Sequence, residues 1–546
     1  MTLYTVCFFA CAADIPFFCA FAQRLDVSGI AQGSSLFVVV DMIITEPSYL
    51  LYFFVFLVVA VGWWLLGRSI YRRVLKQHLD SRIGAGWTVG IFVLLFLALF
   101  TGMRGHLTDR PPLRVEHSVF CNNPFLNQIG LNPVFTFVQS VESKHADRKH
   151  PLQLIDSDIA QEVFDSREAL PADDTTVSRL PEGTHVVLVI MESMATGKTC
   201  LGAPDASLTP HLDSVMAAGL TFTRIFSAGI HTFNGIYSTL YGHPAILERH
   251  TMHDATVPLV CGLPQYLRAA GYSTAYFMPH QGYFDGMESF LYSNGYGRVF
   301  EQGSYPREEW INSFGIPDHL LFRHALDYIN QVSRKGPSFT TIMTCSDHPP
   351  YALPQDIPFH PKTDDIDQQI VEYADWSIGW FLSEVSKKPW FENTLFVFVA
   401  DHGAYDAPIY DLPISRNLIP LVFYSPGRIA PAFTDRLALQ IDVAPTVLGL
   451  LGVDYGNTMI GIDVIHHRRP YAFFGSGKMI GATDGELLYI YRHESRTTTL
   501  HDYQHRSTAD ISDQMPERKS EMERYALGMV QKSYQMLRDK TTDCAK

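Results

Sequence analysis

Two apolar, β-branched runs each end in a group able to hold a cation. His185-Val-Val-Leu-Val-Ile-Met191 is followed by Glu192, and Thr394-Leu-Phe-Val-Phe-Val-Ala400 by Asp401-His402-Gly403. Carboxylate oxygens and an imidazole nitrogen suit hard or borderline divalent cations, and Gly403 lets the backbone turn sharply beside them. A third segment, His231-Thr232-Phe-Asn-Gly235-Ile-Tyr-Ser-Thr-Leu-Tyr-Gly242, sets a hydroxyl just before a predicted helix over 234–240. Thr232 therefore lies near a helix N-terminus, where the dipole and free amides favour a phosphate. A threonine hydroxyl attacks poorly unless a base or metal activates it; metal ligation can lower the pKa of water from about 15.7 to about 7, and coordination would act on Thr232 in the same sense. Singly these signals are weak, since an Asp-His-Gly is commonly a loop and a Glu after a strand commonly a cap. Their joint order carries the information.

Elements must hold those groups. Unbroken β-branched runs fit strands buried on both faces of a parallel sheet. Helix-like stretches lie between the two runs, at 211–219, 264–270, 319–332 and 370–385. The alternation predicts an α/β domain over 183–500, with its site at the carboxyl ends of the strands. After Pro516, Met522, Tyr525, Met529 and Leu537 recur near the helical period, so 501–546 is expected to carry an amphipathic helix packed on that domain. Residues 105–182, punctuated by Pro111-Pro112 and Asn132-Pro133, read as a tether with short helices such as 134–141.

The chain has 546 residues, 47% hydrophobic and 18% charged, and 42 Lys+Arg against 56 Asp+Glu give a net charge of −14. An acidic balance excludes nucleic-acid binding as a class, because phosphate-backbone affinity needs a cationic surface. The apolar excess sits near the amino end. Residues 47–67 and 84–103 carry no charge, and at about 1.5 Å per residue each reaches across a hydrocarbon core of about 30 Å. A third span is expected near 1–23, interrupted by Asp14 and Pro16. Residues 68–83 hold Arg68, Arg72, Arg73, Lys76 and Arg82 against Asp80 alone, whereas 24–48 hold Arg24 against Asp26, Asp41 and Glu46. The positive-inside rule makes the first loop cytoplasmic and the remainder beyond about residue 105 external. Asp14 is open to two readings, a functional intramembrane carboxylate or a group near an interface. The scattered cysteines form no framework; a Cys200–Cys261 bridge is one pairing they allow.

The ordered motifs resemble the alkaline phosphatase and sulfatase superfamily, and within it the membrane-bound phosphoglycerol transferases of the lipoteichoic acid synthase type. The likeness runs from the apolar spans through Val-Leu-Val-Ile-Met-Glu192-Ser and the Thr232 segment to Cys345-Ser-Asp-His348-Pro-Pro-Tyr, Ala400-Asp401-His402-Gly403 and the late element Asp442-Val-Ala-Pro-Thr446. It implies an alkaline phosphatase/sulfatase-like domain with a mostly parallel central sheet between helices. It further implies that Glu192, Thr232, Asp401 and His402 bind one divalent metal, Mn2+ ahead of Mg2+ or Zn2+, with Thr232 the nucleophile and His348 contacting the substrate phosphate. Relatives bind the headgroup in the segment His280-Gln-Gly-Tyr-Phe-Asp285, where some carry an Arg that this chain lacks; His280 and Asp285 remain as contacts. The implied activity transfers a headgroup from a phosphatidylglycerol-like membrane lipid to an envelope glycan or polymer, at the outer side of a bacterial cytoplasmic membrane. Alternatives are a phosphoethanolamine transferase, a phosphodiesterase or sulfatase-type hydrolase, and a non-catalytic scaffold. Thr232-Phe-Asn-Gly lacks the Cys or Ser with Pro-x-Arg that a formylglycine sulfatase needs.

Overall fold

In a computed structural model of the chain, described for residues 2–21, 24–25, 47–75, 85–104, 129–147, 152–172, 177–247, 249–252, 258–282, 284–355, 357–404, 408–542 and 544, the run His185–Met191 forms β1 and is buried at every position. The chain divides into two compact units, one from the described residues up to Asp147 and one from those beyond 150.

The larger unit is built on an eight-stranded sheet. Its other strands are β2 (Leu220–Phe226), β3 (Ser273–Phe277), β4 (Arg298–Phe300), β5 (Ser338–Met343), β6 (Thr394–Ala400), β7 (Leu421–Tyr424) and β8 (Ala432–Leu439), in the order β4-β3-β5-β1-β6-β7-β2-β8. All pairings are parallel except those of β7, which runs antiparallel to both β6 and β2. Helices follow the predicted stretches closely, at Pro210–Ala218, Leu263–Ala269, Asp318–Val332 and Ile366–Val385. β1 and β6 are buried throughout because they lie at the centre with no face to solvent, which is why neither alternates polar with apolar residues.

A second sheet, an antiparallel meander of β9 (Ala472–Ser476), β10 (Met479–Thr483), β11 (Leu487–Arg492) and β12 (Thr497–Asp502), forms its own core with the helix Pro516–Arg538. β12 ends beyond residue 500, so the expected domain edge cuts through it. The helix Ser157–Asp165, expected in a tether, packs on the carboxy-terminal helix: Gln535 Nε2 donates to Ser157 Oγ at 3.0 Å, the Leu154 amide donates to Gln531 Oε1 at 2.7 Å, and a Cβ on Gly528 would lie 3.1 Å from Val163 Cβ. Cys261 pairs with Cys544, not with Cys200, which is a free thiol. The Cys261 amide donates to the Thr542 carbonyl at 2.5 Å and Thr542 Oγ1 donates to the Leu259 carbonyl at 3.0 Å, so the tail lies alongside Cys261.

In the amino-terminal unit, helices span Thr2–Phe21, Pro47–Ile70, Ala85–Arg104 and Pro133–Asp147. Two stretches, Thr2–Cys19 and Leu50–Arg73, are long and apolar enough to cross a membrane; Gly86–Gly102 is a shorter apolar stretch. Asp14 is fully buried, 2.5 Å from Arg24 Nη1, and accepts the Leu25 amide at 2.7 Å, so it anchors the chain just after its helix. Most of the loops whose charges set the expected orientation, and residues 105–128, lie outside the described residues.

The two sheets are locked by Asp442 and Arg469, both without exposed side-chain surface. Arg469 Nε donates to Asp442 Oδ2 at 2.8 Å and Nη1 to Tyr525 Oη at 2.9 Å, while Asp442 also accepts the Leu439 and Ile462 amides. Removing one partner strands a buried charge. Asp442→Ala should therefore cost about 3–5 kcal/mol in denaturant unfolding of the full chain; a loss below about 1 kcal/mol would contradict the assignment.

Candidate metal and nucleophile site

The parallel register of β1 and β6 pairs Met191 with Ala400, which sets Glu192 and Asp401 side by side at the carboxyl ends. The Asp401 amide donates to the Met191 carbonyl at 3.1 Å, and the Glu192 amide donates to Thr344 Oγ1 at 3.0 Å. Ser193, in a left-handed conformation at φ 51°, donates its amide to Asp401 Oδ1 at 2.9 Å and its hydroxyl to Glu192 Oε1 at 3.0 Å. Both carboxylates are buried, and burial followed by the charge of Asp401 pushes the Glu192 carboxyl well above its ordinary range.

His402 completes the cluster. Its Nδ1 lies 2.9 Å from the Gly403 carbonyl, which can only accept, so Nδ1 carries the proton and Nε2 presents a lone pair. Nε2 is 3.5 Å from Asp401 Oδ2 and 3.8 Å from Glu192 Oε1. One donor atom from each of Glu192, Asp401 and His402 falls within a 4.8 Å span. Asp401 Oδ2 is buried with no hydrogen-bond partner among the described residues. Two buried carboxylates, one with an orphaned oxygen, and a converging nitrogen lone pair form a donor set that fits a divalent cation, which would offset the repulsion and desolvation at once.

Thr232 opens the helix Thr232–Tyr241, buried from Phe233 onward. Thr232 Oγ1 donates to Glu192 Oε2 at 3.4 Å. The Asn234 and Gly235 amides bond the His231 carbonyl, which leaves the Thr232 and Phe233 amides at the open end of the helix. Gly235 lets this helix press on the metal strand: a Cβ there would lie 2.6 Å from Asp401 Cα and from its carbonyl oxygen. Gln440 braces the same contact. Its Nε2 donates to the Ala400 and Asp401 carbonyls, each at 2.8 Å, and its Oε1 accepts the Ala228 amide at 3.1 Å, on the loop leading to Thr232. The four residues expected to share one metal are thus brought together.

His348 lies in the turn after β5, tilted against Phe314 with ring centroids 4.4 Å apart. Its Nδ1 donates to the Pro349 carbonyl at 2.6 Å, and burial pushes the ring down to about 4, with the nearby His402 and His280 rings lowering it further. At rest the imidazole is neutral and Nε2 is an acceptor. Asp318 Oδ1 shapes this turn by accepting the Cys345 and Ser346 amides, and Asp347 pairs with Lys198 Nζ at 2.5 Å, which also donates to the Ser193 carbonyl at 2.9 Å. His280 and Asp285 are both buried; Asp285 Oδ1 lies 3.4 Å from His250 Nε2, and the His250 ring stacks on Phe233 at 3.7 Å. The expected headgroup segment is therefore packed on the helix that carries Thr232.

Several site residues escaped sequence reasoning. Lys198, His250, Arg416 and Gln440 sit in none of the motifs, and Ser193 only follows one without a role assigned to it. Arg416 is buried, its carbonyl accepts the Gly403 amide at 2.6 Å, and its charge, after burial, helps hold His231 at about 3. The 280–289 stretch holds no Arg; the buried guanidinium beside the site comes from Arg416, far from it in sequence.

Residues 184–453 match the family profile described as Sulfatase, and this part of the chain is a sulfatase-family domain. The chain is 22% identical over 422 residues to lipoteichoic acid synthase 2 of Bacillus subtilis (strain 168), covering 70% of this chain and 62% of that protein. It is 26% identical over 177 residues to the lipoteichoic acid synthase of Staphylococcus saprophyticus, covering 29% of this chain and 27% of that one. The alignments thus span less than two thirds of either relative. The fold is similar to that of an alkaline phosphatase superfamily protein from Vibrio parahaemolyticus (TM-score 0.64, 22% identity, 71% of this chain and 98% of that chain). It is also similar to the lipoteichoic acid synthase LtaP of Listeria monocytogenes (TM-score 0.60, 17% identity, 70% and 99%).

Gly235→Ala should force the Thr232 helix away from Asp401. Divalent-metal content of the purified full chain should fall; wild-type metal content would refute this close approach.

Proposed function

We propose, from the premise that residues 184–453 are a sulfatase-family domain, that this protein is a membrane-anchored, metal-dependent phosphoglycerol transferase. It takes the headgroup of a phosphatidylglycerol-like lipid onto Thr232 and passes it to an envelope glycan or polymer. The observation that carries this reading is the placement of Thr232 Oγ1 3.4 Å from Glu192 Oε2, beside Asp401 and His402, at the open end of a buried helix. Glu192, Thr232, Asp401 and His402 would hold one divalent ion, Mn2+ favoured. Such an ion supplies Lewis-acid polarisation and lowers the pKa of a ligated hydroxyl.

In the first half-reaction Thr232 Oγ1 gives up its proton to Glu192 Oε2 as it bonds to phosphorus, and the bond to the diacylglycerol oxygen breaks in line, that oxygen taking a proton from the His348 ring. In the second, an acceptor hydroxyl gives its proton to His348 as it forms the new phosphorus–oxygen bond, the bond to Thr232 breaks, and Thr232 Oγ1 regains its proton from Glu192. The Thr232 and Phe233 amides receive the phosphoryl oxygens. His348 Nε2, an acceptor at rest, takes the acceptor's proton, and an anionic phosphodiester beside it favours the charged ring that returns a proton to the next leaving oxygen. His280 and Asp285 line the headgroup side.

The apolar helices Thr2–Phe21 and Pro47–Ile70 support a membrane anchor beside a lipid donor. The Cys261–Cys544 bridge supports placing the domain on the oxidising, exported side of a bacterial cytoplasmic membrane.

Thr232→Ala should abolish transfer from labelled phosphatidylglycerol while the thermal melt is preserved, and mass spectrometry of quenched wild type should find the headgroup mass on Thr232. Preference for labelled phosphatidylethanolamine would instead make the protein a phosphoethanolamine transferase. Chelation should remove turnover, with Mn2+ restoring it. His348→Ala should slow transfer from an alkyl donor by about 100-fold but p-nitrophenolate release far less, because that leaving group needs little protonation; equal losses on both would rule out the proton-transfer role.

A further inference from the structure

A second recognition surface adjoins His348. An open surface depression of about 430 Å3 is lined by Trp310, Ile311 and Pro317 and by Leu353, Gln355 and Ile357. Both lining segments are close in sequence to residues of the His348 turn. Phe314, between Trp310 and Pro317, is the ring that packs on His348 at 4.4 Å, and Leu353 follows His348 within five residues along the same segment. Asn312 Nδ2 donates to the Pro350 carbonyl at 3.0 Å and staples the two walls together. A molecule held in the cleft therefore lies next to the His348 turn.

The lining has a distinct chemistry. Trp310 is 36% exposed, with Arg307 Cζ 5.9 Å from its ring centroid. An exposed indole offers the electron-rich face on which the C–H face of a pyranose stacks. The lining also offers a guanidinium (Arg323), a primary amide (Gln355) and carboxylates (Glu308, Glu309), donors and acceptors of the kinds hydroxyl groups pair with. Arg323 is oriented by Glu309, whose other oxygen lies 2.6 Å from His324 Nε2. His319 adds a ring fixed through Nδ1, 2.6 Å from Tyr373 Oη.

This set discriminates among acceptors. Acyl chains are excluded, since they would bury a charged rim without pairing it. A polyanion meets two glutamates against one arginine of the lining. A neutral, hydroxyl-rich ligand satisfies both the aromatic face and the rim, and the volume falls in the range of about 300–1,000 Å3 usual for small-ligand sites. We infer that the Trp310 cleft is the acceptor subsite and that it binds a neutral glycan. The inference rests on the transferase reading above and names its acceptor class.

Full-length protein in detergent would be titrated with laminaripentaose, maltopentaose and chitopentaose, and with an oligo(glycerol phosphate), using saturation-transfer NMR and tryptophan fluorescence. At least one neutral pentasaccharide should bind with millimolar or tighter affinity. Trp310→Ala should weaken it by roughly tenfold or more. Trp310→Phe, which keeps an aromatic face, should stay within about threefold. Thr232→Ala should bind the saccharide as wild type does while losing diester turnover, so turnover judges the nucleophile and saccharide binding judges the cleft. The inference is overturned if no neutral pentasaccharide binds at about 10 mM, if binding is indifferent to Trp310→Ala and Gln355→Ala, or if the oligo(glycerol phosphate) binds more tightly than every neutral probe.

Discussion

Two carboxylates cannot lie unpaired in a protein interior at little cost; each resists desolvation and each repels the other. β1 and β6 nevertheless deliver Glu192 and Asp401 to the same place, because the parallel register that fills the core also aligns the strand ends. Much of the surrounding structure manages that conflict. Ser193 bends into a left-handed conformation to give one donor to each carboxylate, His402 turns a lone pair toward both, and Gln440 holds the Asp401 backbone from behind. Among the described residues Asp401 Oδ2 is still left without a hydrogen-bond partner, and the residual need is for positive charge.

The same conflict fixes where the nucleophile can be. A helix N-terminus aimed at the carboxylates contributes positive potential, but only if it comes close, and Gly235 is what permits backbone to meet backbone at Asp401. Lys198 extends the logic to the neighbouring turn: through Asp347 and the Ser193 carbonyl it couples the His348 turn to the Glu192 turn. An error in one turn is thus transmitted to the other.

How much of this was legible in the sequence depended on periodicity and order. The buried strands at 185–191 and 394–400 and the helices between them were readable, because fully apolar runs and helical spacing report burial directly. Glu192, Thr232, Asp401 and His402 were named from the order of their motifs and the family that order resembles; the β1–β6 register sets Glu192 beside Asp401 and His402, and the close approach of the Gly235 helix brings Thr232 to Glu192. The bracing residues were not readable: Gln440, Lys198 and Arg416 act through contacts across large sequence separations, and polar residues of those types are ordinarily surface groups. The second sheet was missed because β9 to β12 mix tyrosine, threonine and glycine without a long apolar run, and the Cys261–Cys544 pairing because only the fold brings the tail back to Leu259.

That pairing divides the candidate site residues in an unequal way. Cys261 and Cys544 close a covalent loop across a separation of 283 residues, and Asp401, His402 and His348 lie inside it, whereas Glu192 and Thr232 lie on the stretch that precedes it. The apolar helices are on that preceding stretch as well. Glu192 and Thr232 are thus tied covalently to the amino-terminal side of the chain, while Asp401, His402 and His348 are held within a closed ring, and apart from the backbone itself only non-covalent contacts join the two sets.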